Sequence, residues 1–494
     1  MYCCNKKVGW LSYIKKIYTI KREGEFKVKY ENEKLKEFEE YIVNRKVAII
    51  GLGVSNLPLI DYFHEKKACV TVFDSREIGE IPKDLMDKIT NYSIEFSFGK
   101  NYLSKLKGYD LILRSPSCLP TVNELEEEAK RGAIVTTEVE LLMKMCPCQI
   151  IGITGSDGKT TTTTLISEII KNAGCKCFVG GNIGTPLFTK LCEISPEDKV
   201  VLELSSFQLM GMEISPDIAV ITNITPNHLN IHKDYNEYIE AKKNIFKYQN
   251  KDGILILNYD NEITRNCEKE APGKVIFFSS KQKLDNGYIV DGNVIKECDD
   301  RLRKHIVDTE ELTIKGKHNY ENICASLAAT KELVDESVAI EIIKKFPGVE
   351  HRIEFVREIN GAKWYNDSAS STPTRTISGL NAFDKEEIIL IAGGADKNLD
   401  YTPLAKPVLE KVKTLILMGE TAGKIFEAVK QEQERENKEL NIYMVDSLKQ
   451  AVILAKRYSK PGQVVLFSPA STSFDMFKNM YERGNIFKEL VNRM

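Results

Sequence analysis

Apolar residues fall in short blocks along the chain, each closed by a glycine-bearing turn and followed by a stretch with helical spacing. Brief apolar runs bounded by turns predict buried strands, and strands alternating with amphipathic stretches predict parallel sheets. Residues 34–43 read as a helix feeding a strand at 47–50. Gly51-Leu52-Gly53-Val54-Ser55-Asn56 then reads as a turn, 57–66 as a helix and 69–73 as a second strand ending in Asp74. A third strand, 111–113, ends at Arg114-Ser115-Pro116-Ser117. Strand, glycine turn, helix, strand and acid make the βαβ logic of a nucleotide-binding sheet. Asn56 stands where the full dinucleotide pattern has its third glycine, so two readings stay open: Asp74 holds the ribose of NAD, or the ribose or uracil of another nucleotide.

A second series opens with a strand at 149–153 and the turn Thr154-Gly155-Ser156-Asp157-Gly158-Lys159-Thr160, followed by a threonine-rich helix to about residue 172. Glycines let backbone N–H groups approach phosphate oxygens, and the helix N-terminus adds its dipole. Lys159 supplies charge, and the Thr160 hydroxyl is placed for magnesium. Ile153 occupies the first glycine position of the generic phosphate-loop pattern. Downstream come Gly180-Gly181-Asn182-Ile183-Gly184 and an apolar strand ending at Glu203, the carboxylate expected to share magnesium with Thr160. A strand at 217–221 leads to Asn227-His228, where the histidine is a metal ligand, a proton carrier or a satisfied polar residue. A helix at 238–246 carries Lys242, and another beginning near Gly316 puts Asn319 and Asn322 one turn apart on one face.

Strands at 388–392, 415–418 and 464–467 each end in a small-residue turn (Gly393-Gly394, Gly419, Ser468-Pro469-Ala470), with helical stretches such as 448–457 between them. They predict another open, largely parallel sheet, with ligands at the loops after its strand ends. The charged run 431–439 reads as a solvated helix face.

Length turns these series into domains. At 494 residues the chain is too long for one core. The expected fold class is α/β with three domains: a Rossmann-like nucleotide-binding domain (34–144), a central P-loop ATPase-like domain with a mostly parallel sheet (145–347) and a Rossmann-like C-terminal domain (348–494). Residues 1–33 are set apart as an extension. There Lys6, Lys7, Lys15, Lys16, Lys21 and Arg22 surround an apolar stretch at 10–20, either a poorly ordered tail or an amphipathic helix touching a surface. A net charge of −2 gives no reason to expect nucleic acid or an anionic membrane as partner. No apolar run is long enough for a bilayer and no signal peptide stands out, so the expected location is cytoplasmic, without stable membrane association. Twelve scattered cysteines, with the pairs Cys146/Cys148 and Cys175/Cys177, read as free thiols of a reducing compartment.

Taken in order, the phosphate loop, G-G-N-I-G, L-E-L-S-S-F-Q-L, the Asn227-His228 pair, A-K-x-x-I-F and G-x-H-N-x-x-N resemble the Mur ligases, which build the peptide of bacterial cell-wall precursors. G-L-G-V-S-N, F-P-G-V-E-H-R-I-E, W-Y-N-D-S and F-S-P-A-S-T-S-F-D-M-F resemble the D-glutamate-adding branch of that family. The resemblance covers residues 34–494. It implies an ATP-dependent ligase that adds D-glutamate to UDP-N-acetylmuramoyl-L-alanine through an acyl phosphate, for peptidoglycan biosynthesis and so for cell shape and division. It further implies two magnesium ions, a carbamylated Lys242 and a monomer. Catalytic residues would be Lys159, Glu203, His228, Lys242 and Asn182, and metal ligands Thr160, Glu203, His228 and carbamylated Lys242. ATP would meet Gly155, Ser156, Asp157, Gly158, Lys159, Thr160, Thr161, Asn319, Arg352 and Asp367. The uridine substrate would meet Val54, Ser55, Asp74, Ser75, Arg76 and Ser205, and D-glutamate would meet Ser371, Lys397, Ser473 and Phe474.

The chain departs from the pattern at Ala369, where many members of the branch carry lysine after Asn-Asp-Ser. That departure leaves room for the same chemistry with a different amino-acid acceptor. A non-catalytic nucleotide binder predicts loss of Lys159, Glu203 or Lys242, and all three are present. A dehydrogenase would leave the phosphate loop unexplained.

Overall fold

The computed structural model describes residues 30–226, 232–299, 302–383 and 386–494. The apolar stretch at 10–20 and His228 lie outside the described residues.

Three α/β sheets carry the chain. The first has five parallel strands in the order Glu95–Phe98, Cys69–Asp74, Lys46–Ile50, Leu111–Arg114, Ile134–Thr136. Val47 to Ile50 are all buried, which is why this strand reads as an unbroken apolar run rather than an alternating one. Strand order reverses between Lys46–Ile50 and Leu111–Arg114, the crevice where open α/β sheets bind ligands. The helix Glu33–Ile42 is capped by Asn32, whose Oδ1 accepts from Leu35 N at 3.1 Å while its Nδ2 donates to Met145 O at 2.8 Å.

The second sheet has nine strands in the order Leu302–Asp308, Val294–Asp299, Gly287–Asp291, Lys274–Ser279, Ile254–Asn258, Ile218–Ile221, Gln149–Thr154, Lys199–Glu203, Cys177–Gly181. Its last three strands in the chain form an antiparallel meander that the sequence reading did not recognise. The third sheet has six strands in the order Glu354–Ile359, Ala362–Asn366, Val464–Phe467, Ile388–Ala392, Val412–Leu417, Asn441–Met444. All its pairings are parallel except the edge hairpin Glu354–Ile359 with Ala362–Asn366. Trp364 and Phe487 are completely buried on one face of this sheet, with Phe467 stacked on Phe487 at 4.7 Å. Of the charged run, 431–436 form the last turns of the helix Ala422–Glu436, while 437–439 lie beyond it, the helix being stopped at Asn437 in the left-handed conformation (φ 50°).

The chain divides into two compact units, one of Met1–Thr154, Cys175–Ala219 and His228–Gly253, the other of Gly155–Gly174, Val220–Asn227 and Ile254–Met494. Among the described residues no helix is long and apolar enough to cross a membrane. The ten described cysteines form no disulfide with one another, and the Cys146 and Cys148 Sγ atoms lie 3.5 Å apart.

Candidate functional site

In the first unit, the ligand edge of the five-stranded sheet is shaped by Gly51. Its φ is +83°, and a Cβ there would sit 2.5 Å from Ser115 Oγ. Asn56, at the missing third glycine, clips the turn by donating from Nδ2 to Ile50 O at 2.9 Å and Gly51 O at 3.1 Å. Asp74 accepts from Leu52 N at 2.7 Å and from Arg76 Nε and Nη2, both at 2.8 Å. Burial alone would raise the Asp74 carboxyl; the Arg76 and Leu52 hydrogen bonds outweigh it and hold the group below its usual range. Val54 and Ser75 are exposed beside them.

Also in this unit, Arg114 is buried and donates to the carbonyls of Cys118 (3.2 Å), Phe207 (3.5 Å) and Met210. It ties the first sheet to the segment containing Ser205, which caps the short helix Ser206–Leu209. The strand Lys199–Glu203 delivers Glu203, nearly inaccessible. Its Oε1 accepts from Asn182 Nδ2 at 2.8 Å, while its Oε2 is buried with no hydrogen-bond partner among the described residues. Gly181 (φ +89°) presses the Asn182 turn onto it, since a Cβ would sit 2.2 Å from Glu203 O. Lys242 is buried, with Nζ 4.7 Å from the Tyr238 ring centre and 3.3 Å from Thr154 Oγ1. His232, overlooked in the sequence, meets Ser206 Oγ at 2.9 Å and Glu237 at 3.2 Å.

In the second unit the phosphate loop is fixed by positive-φ glycines and by the segment 222–225. Gly155 (φ +151°) and Gly158 (φ +80°) face Thr222 Oγ1 and Asn322 Oδ1, which added Cβ atoms would approach to 1.9 and 2.4 Å. Asn223 both accepts from Asp157 N (3.0 Å) and donates to Asp157 O (3.2 Å); Thr222 Oγ1 also donates to that oxygen. Ser156 Oγ bonds the Thr225 backbone at both its N and its O. Lys159 begins the helix Lys159–Asn172 and folds back, its Nζ donating to Gly155 O at 2.8 Å and Ser156 O at 2.9 Å. Thr160 and Thr161 follow, half-buried in the first turn.

This loop opens on a cleft of about 340 Å³ lined by Asp157, Gly158, Thr161, Asn319, Arg352 and Asp367, among others. Of the residues expected at ATP, these six are brought together. Asn322 and His318 line it too; His318 keeps an exposed edge, yet the atoms packed around its imidazole desolvate it enough to hold it below its usual pKa. Asp367 is buried, accepting from Ser370 Oγ at 2.5 Å, Ser468 Oγ at 2.7 Å and Ile353 N at 3.3 Å. Burial pushes its carboxyl up to about 6 despite these bonds and the nearby Arg352 charge.

Ser371, Lys397, Ser473 and Phe474 do not line this cleft. Lys397 is exposed after Gly393-Gly394; Ser473 is buried and Phe474 is 67% exposed. Their turn is braced by Arg483, which is fully buried and donates to the carbonyls of Ser471 (3.0 Å), Thr472 (2.9 Å) and Ser368 (2.8 Å). Burial lowers this guanidinium to about 10. Arg483 lies in the C-terminal helix Met480–Asn492, far along the chain from Ser368, and its sequence neighbourhood gave no hint of this role.

A parallel sheet with a glycine turn and an acid, together with a glycine-cradled phosphate loop opening on an arginine-bearing cleft, define a nucleotide-dependent α/β enzyme. The Mur ligase middle domain matches residues 153–330, the Mur ligase glutamate ligase domain 351–471, and the MurD-like N-terminal domain of Mur ligases 45–137. The chain is 47% identical over 463 residues to the UDP-N-acetylmuramoylalanine--D-glutamate ligase of Acetivibrio thermocellus, covering 93% of this chain and 99% of that one. It is 47% identical over 461 residues to the enzyme of the same name from Clostridium acetobutylicum, covering 93% and 98%. Among solved structures, the UDP-N-acetylmuramate-alanine ligase of Thermotoga maritima shares the fold at a TM-score of 0.56 and 18% identity, covering 91% of this chain and 99% of that one. The MurF ligase of Thermotoga maritima, solved with ADP, does so at 0.54 and 17%, covering 92% and 97%. The chain belongs to the Mur ligase family. It is an ATP-dependent ligase that forms a carbon–nitrogen bond between an acid and an amino acid.

Proposed function

We propose that this enzyme adds D-glutamate to UDP-N-acetylmuramoyl-L-alanine, a step of peptidoglycan precursor synthesis. The observation that carries the reading is the near-full-length similarity to relatives bearing that activity in their name, with 47% identity across 99% of one of them. A carboxylate is a poor electrophile because its leaving group is oxide. The substrate carboxylate therefore takes the terminal phosphoryl group of ATP, giving an acyl phosphate and ADP. The amine of D-glutamate attacks the acyl carbon, and the tetrahedral intermediate expels inorganic phosphate as the amine loses its proton. Positioning and charge neutralisation dominate such chemistry.

In this reading Gly155 to Thr161 cradle the phosphates, Lys159 meets them as a cation, and Asn319, Arg352 and Asp367 complete the nucleotide site. Val54, Ser55, Asp74, Ser75, Arg76 and Ser205 hold the uridine substrate, and Asn182 orients the group being transferred. Ser371, Lys397, Ser473 and Phe474 receive D-glutamate. The donor set suits magnesium: the orphaned, buried Oε2 of Glu203 is what a carboxylate oxygen reserved for a cation looks like. Thr160, Glu203, His228 and Lys242 are the ligands in this reading, Lys242 as a carbamate formed from its neutral amine and carbon dioxide with loss of a proton. Bound magnesium would neutralise charge on the phosphates. The domain division 34–144, 145–347 and 348–494, a monomeric state and a cytoplasmic location belong to the same proposal.

The test is phosphate release from ATP with UDP-N-acetylmuramoyl-L-alanine and magnesium, one amino acid at a time, with product mass. Release that requires D-glutamate and yields the new amide supports the assignment. Release with another amino acid discards the acceptor and keeps the ligase.

A further inference from the structure

The cleft beside the phosphate loop has a second wall, made by the helix Pro373–Leu380. Arg375, Ser378 and Gly379 stand at i, i+3 and i+4 on that helix, so they share one face, and all three line the cleft. Gly379 lets the helix lie close to the site: an added Cβ would be 2.9 Å from Asp367 Oδ2. The half-buried Arg375 therefore enters the space that Asp157, Gly158 and Thr161 border from the other side.

Among the described residues the Arg375 guanidinium makes no ion pair, and its one hydrogen bond runs from Nη1 to Ala369 O at 3.3 Å. Asp367, the nearest buried acid by sequence, already accepts from Ser370, Ser468 and the Ile353 backbone. A half-buried guanidinium held by one long hydrogen bond keeps its paired N–H donors available, and a phosphate oxyanion entering the cleft can accept them. Ala369 lines the same cleft and is buried, so the cation absent from position 369 is replaced by one reaching the same place from six residues further on.

We infer that Arg375 is a catalytic-site cation that grips the phosphate oxyanions of the nucleotide, supplying from the helix Pro373–Leu380 the charge that Ala369 lacks. The inference rests on the proposed placement of ATP in this cleft. Wild type, R375A, R375K and the double variant R375A/A369K are compared by calorimetric binding of ATP and of adenosine without other substrates, by kcat and KM for ATP, and by thermal melts. The expected result for R375A is a fall in kcat/KM for ATP of about 100-fold, with weaker ATP binding, unchanged adenosine binding and an unchanged melt. R375K retains part of the activity, and A369K restores at least about tenfold in the R375A background, because either route returns a cation to the cleft. ATP binding and turnover unchanged in R375A, or a loss that falls equally on adenosine, overturns the inference. A wild type that binds ATP but forms no amide with any amino acid overturns the ligase reading instead, and the ATP-against-adenosine comparison still decides the role of Arg375.

Discussion

Replacing Asp367 with asparagine should make the protein more stable at neutral pH while making it a poorer enzyme. The carboxyl is buried and its pKa is raised from 3.8 to about 6. Between those two values the folded chain keeps a proton that the unfolded chain has released, so stability falls as pH rises through this window. Below pH 3.8 the group costs nothing. Above pH 6 the full cost applies, and a displacement of about two pH units at roughly 1.4 kcal/mol each amounts to ~3 kcal/mol. Asparagine keeps the shape and removes the ionisation. Its amide must face Ser370 and Ser468, whose hydroxyls now donate to Asp367 Oδ2, and that mismatch returns about 1 kcal/mol. The net gain near pH 7.5 is therefore ~2 kcal/mol, or about 4–8 °C in the melting temperature of a domain of this size, fading towards zero or below at pH 4. Calorimetric melts of wild type and D367N across pH 4–8 measure the difference directly. Because other carboxylates titrate alike in both proteins, the difference isolates this one. Ligase turnover at saturating substrates should drop by about 100-fold if Asp367 serves the nucleotide. A melting difference that is flat with pH, or one that favours wild type at pH 7.5, would refute the reasoning.

Three further outcomes are expected. G158A forces a side chain onto a φ of +80° and towards Asn322 Oδ1, so ADP affinity measured by calorimetry should weaken by at least about tenfold; undiminished affinity removes the cradle from the mechanism. R114M strands the carbonyls of Cys118, Phe207 and Met210, which should lower the unfolding free energy of the unit containing them by about 2–4 kcal/mol in urea titrations; an unshifted midpoint means those carbonyls find other donors. E203Q should raise the magnesium concentration needed for half-maximal activity by about tenfold or more, while an unchanged requirement takes Glu203 out of the metal set.

Much of the fold was legible because burial wrote it into the chain. Strands covered on both faces, such as Gln149–Thr154 and Ile388–Ala392, read as continuous apolar runs, and glycines at forced positive φ marked the turns after them. The meander Gly287–Asp308 was missed because its strands mix buried and exposed positions, although Asp291-Gly292-Asn293 carried a turn signal. Within the site, the phosphate loop was legible as a local motif. Asn223 and Thr222 were not, since their work on Asp157 depends on a neighbouring strand end rather than on spacing along the chain.

What the sequence determined by itself was the set of local decisions: which runs become strands, where glycine must turn the backbone, and which motifs mark a Mur ligase. These follow from periodicity, steric freedom and short-range capping, all properties of a few adjacent residues. What only the tertiary structure decided was which distant groups share one dielectric environment. Arg483 reaches Ser368 across 115 positions, Asp367 loses its solvent to Ser468 across 101, and Arg375 comes to face the phosphate loop. Desolvation and unpaired charge depend on the whole surroundings of an atom, and chain order does not specify those surroundings.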